Sequence, residues 1–234
     1  LNDEQLMLDA SNVADIYHQL TLDLFDQVID RLKERGSASL DDNPYIWQLE
    51  KMNEMGMLNE DNVKLIAEYS GIAEEQLRYV IQNEGYQVYK DTKTQLLESL
   101  DGGSFVDNSL IQANLSAYVN QTMFDIDNLI NTTLPMSVRK VYQSIIEESV
   151  AKVVTGLAAS DRAISDTVMK WAKKGFYGFT DSQGKNWRAD TYARQVIKST
   201  AWRVYREANM APALELGIDT FYYSKKSTAR EMCA

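Results

Sequence analysis

Apolar residues recur at intervals of three and four through almost the whole chain, and this spacing limits the fold more than any single motif. Val13, Tyr17, Leu20, Leu24, Val28 and Leu32 form one such stripe, in a helix expected from Asn12 to Arg35. Strand patterning replaces helical spacing only between residues 166 and 230. There a basic helix ends at Gly175, and an aromatic hairpin follows with Asp181-Ser-Gln-Gly184 as its turn. Ile218-Asp-Thr-Phe-Tyr-Tyr223 reads as one further strand. The expected fold is mainly α: a long-helix amino-terminal region, then a small α+β module with a β-hairpin and one further strand. We expect three regions: an acidic helical region over 1–105, a long helical hairpin over 106–159 and a basic α+β module over 160–234.

Glycine and proline set the expected breaks. Gly36 should end the first helix, and Pro44, after Asp42-Asn43, should open a second that stops at Gly56. Asn59 is placed to cap a third, closed by Ser70-Gly71, and Ala73 should open a fourth that reaches Glu84. Residues 86–100 continue helically. A helix from Asn108 or Ser109 should break at Leu134-Pro135, and Ser137 should start its antiparallel partner, ending at Gly156. After the Ser160–Lys174 helix and the hairpin, Asp190 should cap a last helix to about Asn209, with Pro212 and Gly217 punctuating the connector beyond it.

Charge divides the chain. Residues 1–135 hold 8 basic and 24 acidic residues, a net of −16, whereas residues 136–234 hold 16 basic and 10 acidic, a net of +6. The acidic part would be repelled by nucleic acid, and the basic part suits DNA or an acidic protein surface. One cysteine, Cys233, excludes an internal disulfide and fits a reducing cytosol. No apolar run approaches the ~20 residues of a membrane span, so no membrane anchor is expected.

Catalytic constellations are missing from the pattern. The single histidine, His18, has no second histidine to share a metal and no nucleophile beside it in sequence. Gly102-Gly103 lacks the spacing of a phosphate loop. Glu147-Glu148, with Asp125 and Asp127, reads as the solvated edge of helices. No catalytic residue, metal site or cofactor is expected. Residues 63–80 have the apolar rhythm of a helix-turn-helix around Gly71, but the window 60–84 holds six acids against two bases, which DNA phosphates disfavour. The best candidate binding surface is cationic with interleaved aromatics: Lys173, Lys174, Lys185, Arg188, Arg194, Lys198, Arg203 and Arg206, among Trp187, Tyr192 and Trp202. Its bland alternative is the charged outer face of an amphipathic helix.

The order of these segments resembles bacteriophage minor capsid proteins of the minor capsid protein 2 type, loosely related to the Mu-F-like head-morphogenesis family. The resembling residues are Ala14-Asp-Ile-Tyr17, Leu65-Ile-Ala-Glu-Tyr-Ser-Gly-Ile72, Asn120-Gln-Thr-Met123, Val153-Val-Thr-Gly156, Lys174-Gly175, the Gly184 hairpin, Tyr192 to Tyr205, Gly217-Ile-Asp219 and Ala229-Arg230. Each is a weak motif, and their order carries the resemblance. It implies a non-enzymatic virion component in the capsid interior near the portal, aiding head assembly and genome packaging or delivery. The implied partners are the portal protein, the major capsid or scaffolding protein, and packaged double-stranded DNA. Where the family continues with an Ala-Arg-Pro-like element and a histidine, this chain has Arg230-Glu-Met-Cys233. The start at Leu1 and the stop just after Arg230 lead us to expect a longer natural chain. Two alternatives stay open: a virion-delivered effector whose catalytic domain lies beyond Ala234, and a helix-turn-helix DNA-binding protein.

Overall fold

The computed structural model describes residues 3–34, 36–100, 103–180, 183–218 and 220. Helix α1 spans Asp3–Lys33, nine residues earlier at its start than the apolar spacing from Asn12 suggested. Leu6, Ala10, Val13, Tyr17, Leu20, Leu24, Val28 and Leu32 are all buried, so the predicted stripe is the core face and extends about two turns further back. Gly36 does not end this helix. Its last carbonyls are satisfied from α2 (Pro44–Asn53), whose fully buried Lys51 donates to Arg31 O at 2.8 Å and Glu34 O at 2.7 Å. Glu54 balances that ammonium at 3.1 Å. Gly36 instead leaves room for the Glu50 carboxylate, which accepts the Ser37 and Ala38 N–H groups at 3.2 and 3.3 Å.

Helix α3 (Met55–Tyr79) runs through both Gly56 and Gly71, so the break expected at Ser70-Gly71 is absent, and with it the turn that the alternative helix-turn-helix reading needs. The reason is energetic. A helical glycine costs about 1 kcal/mol, whereas Ile66, Ala73 and Leu77 lie buried on either side of Gly71 at helical spacing. Burying one large aliphatic side chain contributes about 1.5–3 kcal/mol. A π-helical turn, Val80–Glu84, leads directly into α4 (Gly85–Ser99). Gly85 is there for close approach, since a Cβ would lie 2.6 Å from Val204 and 3.4 Å from Leu115.

Helix α5 (Ser109–Val154) is one continuous 46-residue rod, ~69 Å long at 1.5 Å per residue. The predicted hairpin across Leu134-Pro135 is therefore corrected to a single spine. Proline inside a helix costs about 3 kcal/mol. Ile126, Ile130, Leu134, Val138, Tyr142 and Ile145 are buried without a change of phase across it, and together they outweigh that cost. Asn108 caps the rod, its side-chain oxygen accepting the Leu110 N–H at 2.9 Å. Helices α2, α3, α6 (Ser160–Lys174) and α7 (Ala189–Glu215) all pack on this spine.

Gly175 closes α6 at φ +73°, as predicted. The hairpin follows as strands β1 (Tyr177–Thr180) and β2 (Asn186–Arg188), paired antiparallel with Tyr177 opposite Arg188 and Thr180 opposite Asn186. Buried Phe176, just before β1, stacks on Phe25 of α1 with centroids 4.1 Å apart. Helix α7 passes through Pro212 and stops only at Glu215, where Gly217 (φ +76°) and the bond from Ile218 N–H to Ala213 O at 2.9 Å complete the cap. The further strand expected over 218–223 falls outside the described residues, apart from Ile218 and Thr220. Mainly α is the observed class. The buried apolar core is continuous from Leu6 in α1 to Ala208 in α7.

A second buried ammonium locks the far end. Lys93 of α4 donates to Tyr89 Oη at 3.0 Å, to Val106 O at 2.7 Å and to Glu215 Oε2 at 2.6 Å. Asn108 and Tyr89 also donate to the Glu215 carboxylate. One lysine thus joins α4, the 103–108 connection and the end of α7.

Candidate partner-binding face

Helix α7 buries Ala193, Ile197, Ala201, Val204 and Ala208 on one side, against α1, α4 and α5. The buried stripe leaves Lys198, Trp202, Arg203, Arg206 and Met210 on the other. Trp202 is 47% exposed, with its ring edge-on to Tyr205 at 6.1 Å. Lys198, Arg203 and Arg206 have no carboxylate partner among the described residues. Below Arg203 and Arg206 lies a groove of about 450 Å³, bounded by Tyr118, Glu207, Met210 and Leu214. Tyr118 Oη donates to Glu207 at 2.5 Å; this bond, then burial, raises the phenol above its ordinary pKa.

The other predicted cations are used differently. Arg194 does not point freely outward, because it donates to Ser11 Oγ at 3.2 Å and pairs with Asp15, both on α1. Arg188 holds Asp190 through Nε at 3.2 Å and Nη2 at 2.9 Å. Asp190 lies inside the first turn of α7 rather than before it, and accepts the Thr191 N–H at 2.7 Å. His18 of α1 reaches the same carboxylate at 3.3 Å. Burial works to raise the Asp190 pKa, but the bonds from His18 and Arg188 outweigh it and hold the carboxyl below its ordinary value.

Lys174 lies over the Trp171 ring, 4.6 Å from its centroid, and Lys185 over Trp187 at 3.8 Å. Lys173 is exposed near the end of α6. The eight predicted residues therefore divide. Arg188 and Arg194 fasten α7 to the hairpin and to α1, Lys174 and Lys185 sit on indole faces, Lys173 is exposed near the end of α6, and Lys198, Arg203 and Arg206 form the open stripe. Sequence reasoning missed the carboxylates that make this division. Asp15 and Asp190 are close to Arg194 and His18 only once α1 and α7 are packed together.

Among the described residues no cluster of three or more His, Cys, Asp or Glu side chains is placed to hold a metal ion, and no helix is long and apolar enough to cross a membrane.

Comparison with known proteins decides the class. The family model described as phage minor capsid protein 2 matches residues 1–234. The chain belongs to that family. It is accordingly a phage structural protein of the minor capsid kind. A curated relative described as a structural protein, from Lactococcus phage LL-H, is 26% identical over 231 residues. The match covers 94% of this chain and 62% of that relative, so the chain spans less than two thirds of the relative's length. No solved structure matches it.

Proposed function

We propose that this minor capsid protein works without catalysis inside the phage head, close to the portal, in head assembly and in genome packaging or delivery. Its docking face is the exposed stripe of α7, which meets a neighbouring virion protein: portal, major capsid or scaffolding protein. One observation carries the reading. Lys198, Trp202, Arg203 and Arg206 stand together on the outer side of a helix whose inner side is fixed in the core, in a chain of net charge −10. Exposed Trp and Arg are the residue types that anchor protein interfaces, and unpaired cations select an acidic surface.

The test is crosslinking mass spectrometry on purified particles carrying either the wild-type chain or Lys198→Glu with Arg206→Glu. The expected result is crosslinks from α7 to a portal or shell protein in wild-type particles and loss of the chain from variant particles. Crosslinks only to DNA would replace the protein neighbour with packaged genome. Full incorporation of the variant would remove the α7 face from the account.

A further inference from the structure

A groove of about 470 Å³ lies between α1 and α3, on a face distinct from the α7 stripe. Its walls carry Asp9 from α1, Ile72, Glu75 and Tyr79 from α3, and Glu84 from the end of the π-turn. Tyr79 is 62% exposed and Ile72 is 41% exposed, so the groove is rimmed by apolar surface as well as carboxylates. No lysine or arginine lines it. Glu84 Oε2 is enclosed, and the carboxyl beside it is that of Asp9. An enclosed carboxylate beside another acid is stabilised by an incoming cation, and a tyrosine ring at the rim suits a guanidinium or ammonium group.

The same molecule displays the complementary chemistry on α7, where Lys198, Arg203 and Arg206 alternate with Trp202 and Met210. We infer that the α1/α3 groove receives the α7 stripe of a second copy, giving a head-to-tail contact between minor capsid subunits. The inference rests on reading the α7 stripe as a docking face, and it adds a second copy of this chain to the neighbours that face can meet. Donor and acceptor surfaces lie on different parts of one chain, so the contact is heterologous and propagates into a ring or an open chain. Burial, with the Asp9 charge second, raises Glu84 to about 7 in the isolated chain. A neighbour's cation would favour its ionised form, so association should tighten as pH rises through neutrality. The charged and titratable groups lining the groove around Glu84 are Asp9 on α1 and Glu75 and Tyr79 on α3.

Sedimentation velocity of the purified chain at low and high salt tests this directly. Wild type should self-associate at low salt and dissociate at high salt. Glu75→Lys and Arg206→Glu should each weaken association about tenfold or more, with unchanged helical circular dichroism. A mixture of the two single variants offers an intact groove to an intact stripe and a charge-reversed groove to a charge-reversed stripe, so mixing should restore the association that each variant alone lacks. The double variant in one chain restores opposite charges and should recover association. A wild-type chain that stays monomeric at low salt, or self-association that ignores both substitutions, overturns the inference. Loss of Arg206→Glu from particles alongside a monomeric wild type would overturn it while leaving α7 as the face for a different virion neighbour.

Discussion

The entry to α7 and its middle carry cations of the same kind and use them in opposite ways. At the start, Arg188 and Arg194 are consumed by Asp190 and Asp15, binding the hairpin and α1 to α7. One to three turns on, Lys198, Arg203 and Arg206 meet no carboxylate among the described residues. Charge written in a sequence is not charge offered to a partner. What separates the two is whether a carboxylate arrives within hydrogen-bonding distance, as Asp15 of α1 does for Arg194.

That division predicts a graded series of effects on stability, measured by urea denaturation. The largest belongs to an inward cation outside α7. Lys93→Ala leaves Val106 O and Glu215 facing an emptied, mostly buried site, and should cost about 3–5 kcal/mol. A loss well below this would mean that water replaces the ammonium without penalty, and the contrast between inward and outward cations would weaken.

Next comes Asp190→Asn, which removes the negative charge and one of the two acceptor oxygens shared by His18, Arg188 and Thr191, at about 1–3 kcal/mol. Its pH dependence has a definite sign. The folded pKa is depressed, so the stabilisation is present above the ordinary aspartate range and is lost as pH falls through the folded value. Wild type and variant should therefore converge in acid. Glu84 behaves oppositely. With its pKa raised from 4.5 to about 7, the free chain loses stability as pH rises between those values, and the penalty then stays constant. Glu84→Gln should flatten that slope and be the more stable chain at pH 8.

Arg194→Ala should cost at most about 1 kcal/mol, because the pair with Asp15 is half exposed and screened. Lys198→Glu with Arg206→Glu should change stability by no more than about 0.5 kcal/mol, although these two positions are expected to matter most to partners. A large destabilisation there would show that the outer stripe has an intramolecular role.

The apolar stripes of α1, α5 and α7 were legible because each is a local repeat that one core surface reads. The breaks were not. Gly71, Pro135 and Pro212 carry local helix-breaking propensities, but burial on both sides of each, supplied by distant elements, overrides them. Lys51 and Lys93 look like ordinary surface lysines. They turn inward because their acceptors, Arg31 O and Glu34 O in one case and Val106 O and Glu215 in the other, come from other segments. For the same reason the candidate surface could be read as a set of eight cations but not as its open subset. The family resemblance was carried by the order of motifs, and the match over residues 1–234 agrees with it.

The central claim is that the middle of α7, and not its start, is the face turned toward a neighbour in the head. Counting the chain per particle by quantitative mass spectrometry, for Lys198→Glu with Arg206→Glu against Arg194→Ala, tests it most directly. Near-complete loss of the first variant and near-normal incorporation of the second are expected. Equal incorporation of both, or loss of Arg194→Ala alone, would contradict it.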